Sequence, residues 1–130
     1  MKFGDVLKQA DWKAEKHVPV IEAPEAVGSG ALFDVTVSIG KGIPHPNTTE
    51  HHIRWIQVYF MPRDGKFAFQ VGAFEFSAHG ESVAGPNQGP VYTEPKATFA
   101  MKTSEPGTLM AVAFCNIHGP WESSAEIELA

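Results

Sequence analysis

Cysteine is nearly absent from this chain: its 130 residues contain one, Cys115. A lone thiol excludes a disulfide framework within the chain and any centre built on four cysteines. Charge is sparse too, at 19% of residues, and its positive sign is in the minority, leaving a net charge of -5. That balance excludes the broad basic field of a general nucleic-acid binder. Long hydrophobic runs are missing as well. The longest, Leu109 to Cys115, is far too short to cross a bilayer, and Lys2, Asp5, Lys8 and Asp11 interrupt the start of the chain. Neither a membrane span nor a secretory leader is therefore expected. With the unpaired thiol, this predicts a cytoplasmic location.

What the chain does contain is apolar and turn-forming: 43% hydrophobic and 11% aromatic residues, with 12 Gly and 10 Pro. This supply can bury a core without crosslinks, argues against disorder and suits a turn-rich β protein. No repeat, low-complexity tract or linker divides it, so residues 1–130 read as one domain. Phe3, Val6, Leu7 and Ala10 recur at helical spacing and predict a short N-terminal helical segment. Beyond it the period becomes two. Phe33, Val35, Val37 and Ile39 alternate with more polar neighbours, and Ile56, Val58 and Phe60 share one face of the next strand. Met61 to Gly65 reads as a hairpin turn. The phase then changes at Gly72, between Phe67-x-Phe69-x-Val71 and Phe74-x-Phe76, which suggests a bulge. Ala97 to Met101, the doubly apolar Leu109 to Cys115, and Ala125 to Leu129 complete six or seven strands. The expectation is an all-β, immunoglobulin-like antiparallel sandwich of about seven strands, with Leu109–Cys115 at its centre.

The metal-ligating side chains are clustered. His17 lies in Glu15-Lys16-His17-Val18-Pro19; His45, His51 and His52 lie in the stretch from Pro44 to His52; Cys115 and His118 form a Cys-x-x-His; His79 stands alone. A thiolate and an imidazole three residues apart, where a strand breaks into a Gly-Pro turn, can converge on one ion. Pro19, Pro44 and Pro46 stiffen the other two loops, so their imidazoles lose less entropy on binding. One sulfur is too few for the usual structural zinc site. Blue copper takes two His, one Cys and a weak axial Met, but the last methionine, Met110, precedes the cysteine. Many imidazoles with one thiolate suit a five-coordinate iron better, its sixth position open to a small ligand.

These motifs resemble those of the superoxide reductases. The likeness runs from Glu15-Lys16-His17-Val18-Pro19 through His45-Pro46-Asn47-Thr48 to His51-His52. It continues through Phe76-Ser77-Ala78-His79-Gly80-Glu81-Ser82, Cys115-Asn116-Ile117-His118-Gly119 and Trp121-Glu122-Ser123, and so covers nearly the whole chain. Without cysteines for a second iron centre, the chain is similar to the one-iron neelaredoxin type, not to the two-domain desulfoferrodoxins. The resemblance implies an immunoglobulin-like sandwich holding one iron ion per chain (Fe2+/Fe3+). It implies His17, His45, His51 and His118 as equatorial ligands and Cys115 as the axial one. Glu15 would be the sixth ligand of the oxidised state, and Lys16 would supply positive charge beside the open position. The implied activity is one-electron reduction of superoxide to hydrogen peroxide, with rubredoxin or a similar protein as electron donor and a homotetramer as the assembly.

Taken alone, several of these residues have plainer roles. Glu15 and Lys16 also fit an ordinary solvated ion pair. Adjacent strand residues point oppositely, so of His51 and His52 only one readily reaches a shared ion; spacing from His45 favours His51 and leaves His52 to support or packing. His79 reads as structural. Trp12, Trp55 and Trp121 suit a core or an interface, Trp121 being near enough to His118 to wall the site. A cupredoxin-like electron carrier and a zinc-stabilised interaction module are the competing functions. Metal content and colour separate them, since ferric iron bound by a thiolate is blue.

Overall fold

The computed structural model describes residues 1–130, and its regular secondary structure is almost wholly strand. In chain order these are β1 (Val20–Glu22), β2 (Ala26–Val27), β3 (Phe33–Ser38), β4 (Ile53–Pro62), β5 (Phe69–Glu75), β6 (Lys96–Met101), β7 (Gly107–Cys115) and β8 (Gly119–Leu129). They form a three-stranded sheet, β1-β3-β6, and a five-stranded sheet, β2-β8-β7-β4-β5. Alternation explains the pairing of the two layers. Val35, Val37 and Ile39 on one side meet Ile56, Val58, Phe60, Leu109, Ala111 and Ala113 on the other, all within one core cluster that also contains Cys115. Strand β7 lies between β4 and β8. Its core-facing residues are buried and its outer residues Met110, Val112 and Phe114 half-buried, which accounts for its apolar character on both sides. No helix is long and apolar enough to cross a membrane.

The sandwich departs from the sequence expectation in its shortest strands, at the N-terminus and in where two strands begin. There are eight strands; the short β1 and β2, both ahead of Phe33, were not expected, and β2 pairs with β8 in parallel while every other pair is antiparallel. The N-terminal periodicity yields only one 3-10 turn, Phe3–Asp5, with none of its residues buried. Nothing covers an apolar stripe there: Phe3 is 65% exposed, and the chain instead extends beside β8, where Lys8 N–H donates to the Pro120 carbonyl and Glu122 N–H to that of Lys8. The strand expected to begin by Phe67 begins at Phe69, and the last, expected from Ala125, begins at Gly119, so that Gly119-Pro120 opens a strand where a turn was expected. The bulge falls near the phase change: Val58 faces Gly72 and Tyr59 faces Gln70, leaving Val71 as the extra residue.

Register places four chain segments at one end of the sandwich. Val20 opens β1 opposite Ser38 at the end of β3; Ile53 opens β4 opposite Cys115, which closes β7 opposite Gly119. The segment between β3 and β4 crosses from one sheet to the other at this end.

Candidate metal centre

Three loops and one strand end deliver the metal-ligating side chains. The β7–β8 hairpin has a three-residue connection, Asn116-Ile117-His118, followed by Gly119 at φ 80°. A left-handed residue after a short turn is what closes such hairpins, and glycine adopts it without strain. The turn folds the His118 N–H onto Cys115 Sγ, 3.3 Å away, and sets His118 Nδ1 3.7 Å from the same sulfur.

His17, His45, His51 and Cys115 come together, each offering one ligand atom, and these atoms all lie within 4.8 Å of one another. His118 adjoins this group, its Nδ1 3.1 Å from His17 Nε2, on an exposed part of the turn. Three of the pairs meet edge to face: His45 lies 4.9 Å from both His17 and His51, and His118 lies 4.7 Å from His17; His118 is tilted against His51 at 5.0 Å. Trp121 stacks on the outer side of His17 and donates its indole N–H to the His118 carbonyl, so it walls the cluster.

Two of the rings, those of His17 and His45, are aimed by their other nitrogen. His17 Nδ1 meets Glu15 Oε1 at 2.5 Å, and the same oxygen accepts the His17 backbone N–H. His45 Nδ1 donates to the Pro46 carbonyl at 2.6 Å. Such contacts fix the tautomer that leaves Nε2 free as a donor to metal. In His45 and His51 that Nε2 is buried and has no hydrogen-bond partner. An orphaned buried nitrogen is costly unless something occupies its lone pair, and a metal ion among imidazoles and a thiolate does so. The donor set thus fits an iron ion.

Electrostatics act in the same direction. Burial pushes His45 down to about 4, outweighing its bond to Pro46, and the neighbouring His17, His51 and Lys16 charges add to the effect. His51 is lowered by burial and by the charges of His118, His17 and Lys16. Both imidazoles are therefore neutral near pH 7, the form that binds metal. Burial raises Glu15, but hydrogen bonds from the His17 ring and backbone outweigh it and hold the carboxyl below its usual range.

Among the other expected site residues, Lys16 is half-buried, pairs with no carboxylate and is near enough to act on His45 and His51. Glu15 stands behind His17, not within the ligand-atom group. His52 points away from the cluster and stacks on His79, both buried. Sequence reasoning missed Asn116. Its Oδ1 accepts the His52 N–H and its Nδ2 donates to the Glu50 carbonyl, tying the cysteine turn to the histidine loop. The available signal was a side-chain amide directly after Cys115, at the start of a turn.

A β-sandwich closed at one end around three inward imidazoles and one thiolate defines a mononuclear metalloprotein of the histidine–cysteine class. The family description that matches it is Desulfoferrodoxin, over residues 9–124, and the chain belongs to that family. It is 60% identical to neelaredoxin of Megalodesulfovibrio gigas over 129 residues, covering 99% of each chain. It is 55% identical to superoxide reductase of Pyrococcus furiosus, covering 97% of this chain and 99% of that one. The solved structure of superoxide reductase (neelaredoxin) from Archaeoglobus fulgidus in the reduced form superposes with a TM-score of 0.89 at 54% identity, covering 95% of this chain and 99% of the other.

Proposed function

We infer that this protein is a superoxide reductase, converting superoxide to hydrogen peroxide at one iron ion per chain. The observation that carries this reading is the convergence of His17, His45, His51 and Cys115 within 4.8 Å, with two inward nitrogens lacking any protein partner. We assign the iron to these four residues together with His118, whose Nδ1 faces both His17 Nε2 and Cys115 Sγ. Bound there, iron supplies the electron that, with two protons, turns superoxide into hydrogen peroxide. Cys115 contributes thiolate electron density, moderated by the His118 N–H on its sulfur. Lys16 gives the anion a local cationic approach in a molecule of net charge -5. Glu15 orients His17 through Nδ1; serving as sixth ligand in the oxidised state would require its carboxylate to leave that nitrogen. Protons come from water at the exposed His118 rim.

The same reading extends to the surroundings. One core cluster spanning both sheets supports residues 1–130 as a single catalytic domain. A lone thiol leaves the chain without a four-cysteine electron source, so an external donor such as rubredoxin re-reduces the iron. The half-exposed row Trp55, Tyr59, Met110, Val112 and Phe114 on the outer face of the five-stranded sheet supports a homotetramer. The unpaired thiol suits a reducing cytoplasm, and the negative net charge gives neither nucleic acid nor an anionic membrane a handle.

Metal analysis and an optical spectrum of the purified protein test the function. About one iron per chain, a blue ferric form and consumption of superoxide without oxygen release are expected. Cys115→Ser should abolish both the blue band and the activity while leaving the β-sheet circular dichroism unchanged. Zinc alone, with no reaction toward superoxide, overturns the reading. Copper with reversible electron transfer would instead favour a cupredoxin-like carrier.

A further inference from the structure

His45 and His51 lie on a loop with no regular secondary structure, residues 40–52, so something else must hold them at their separation. Within the loop, Thr48 N–H donates to the His51 carbonyl and His51 N–H to Thr48 Oγ1, closing a small turn. That turn alone does not fix the loop against the sandwich. Its anchorage comes largely from the segment between β5 and β6.

Four residues of the loop are gripped from that side. Asn47 Nδ2 donates to the Thr93 carbonyl at 3.0 Å. Thr49 Oγ1 donates to the His79 carbonyl at 2.7 Å, Thr49 N–H donates to Asn87 Oδ1 at 2.8 Å, and Asn87 N–H returns a bond to Thr49 Oγ1. Asn87 Nδ2 meets both carboxylate oxygens of Glu50 at 3.0 Å. Lastly, the His52 ring lies flat on the His79 ring, with centroids 3.5 Å apart and planes 8° apart, both residues buried. The His52 ring is itself set by Nδ1, which donates to the Thr48 carbonyl at 2.9 Å.

The gripping segment is braced in turn. Thr93 N–H donates to the Ala78 carbonyl, and Gly80 N–H to that of Val91. Gly80, at φ 82°, lies directly beneath the Tyr92 ring, where a Cβ would collide. His79 is thus the point where a closed, self-braced segment meets the residue directly after His51. His52 directly follows His51, so holding the His52 ring on His79 and its Nδ1 on the Thr48 carbonyl restrains the turn from which the His51 ring projects.

We propose that His79 is a positioning residue of the metal centre, holding His45 and His51 in register through the face of its ring on His52 and its carbonyl on Thr49. Neither a ring nitrogen nor a charge of His79 takes part. The inference rests on the iron-centre reading above. Three variants test it: His79→Ala, which removes the stacked ring; His79→Phe, which keeps a flat ring without nitrogen; and Thr49→Val, which removes the hydroxyl that bonds the His79 carbonyl and accepts from Asn87 N–H. For each, iron affinity is measured by competition with a chelator, alongside the ferric thiolate band and the circular dichroism of the purified protein. Iron affinity should fall about tenfold in His79→Ala, the scale of lost support behind a metal ligand. Its ferric band should shift, and His79→Phe should restore both to near the parent values. Thr49→Val should weaken binding in the same direction, which carries the test if His79→Ala fails to fold. Parent-like affinity and band in the folded alanine and valine variants overturn the proposal. So does a phenylalanine variant as impaired as the alanine one, which would make the ring nitrogen essential. A parent protein that binds no iron removes the centre itself, an outcome visible before any variant is compared.

Discussion

Lys16 is a half-buried ammonium beside neutral imidazoles, in a chain with 15 acidic and 10 basic residues. Its charge contributes to lowering both His45 and His51, so it acts where an incoming anion would arrive. Removing it should affect encounter and leave metal binding intact. Lys16→Ala is expected to slow the second-order reaction with superoxide about tenfold at low ionic strength, with a flatter salt dependence and unchanged iron content. Rapid-mixing or pulse-radiolysis rates across a salt series check this, and a parent-like rate at low salt would remove Lys16 from the mechanism. Glu15, its neighbour, shows the limit of reading residues in isolation. An acid two positions before a histidine looks like a solvated partner of Lys16, yet its carboxylate spans the His17 backbone and ring. The sequence contains the spacing but not the direction in which the ring is turned.

At the level of elements, the β7–β8 hairpin does the most for the centre, because Cys115 and His118 sit on its closing turn. Gly119 at φ 80° has open space around its Cβ position, so a larger side chain there meets backbone strain without a steric clash. Gly119→Val is predicted to destabilise the protein by about 1–2 kcal/mol, the penalty of a left-handed conformation for an L-residue. It should also disturb the ferric band, because the strain falls on the turn that places the His118 N–H on Cys115 Sγ. Thermal unfolding and the optical spectrum of the same sample read both effects. Strands β3, β4 and β7 were legible as alternating or doubly apolar runs because each buries a face in the core. Strand β2 was not, since two residues carry no period and its partner, β8, lies about 100 residues away. The N-terminal periodicity misled for the opposite reason. Four apolar residues at helical spacing predict a helix only if a face of the body receives them, and Phe3 and Val6 remain exposed.

For the molecule as a whole, gathering histidines at one end of the sandwich has a consequence for acid stability. Burial depresses His45 to about 4 and lowers His51 and His79 from their ordinary value of 6.5. Below pH 6.5 the unfolded chain therefore takes up protons that the folded chain refuses. The corresponding stability is fully present above the unfolded value and is lost as pH falls toward about 4. The chelator-stripped protein should show Tm falling by roughly 5 °C or more between pH 7 and 4.5. Scanning calorimetry over that range tests it, and a flat Tm would mean that the site is already open or protonated when metal-free. Iron should oppose the loss, since bound metal occupies the lone pairs that protons would take.

The sequence by itself determined the type of centre available: one thiol, six histidines of which four lie in proline-stiffened loops, and alternating strands to carry them. Those are properties of residue type and local period, and they survive without knowledge of what packs where. It also ordered the candidates, since opposite-facing neighbours leave room for only one of His51 and His52. Tertiary structure decided the rest. Which three loops share an end of the sandwich follows from register between strands far apart in the chain, as in Ile53 opposite Cys115. Tertiary packing laid His52 on His79, brought His118 against His17 and left the Nε2 atoms of His45, His51 and His79 buried without a partner. Each of these depends on contacts between distant segments, such as His17 and His118, 101 residues apart, on ring directions or on solvent exclusion, which no local pattern encodes.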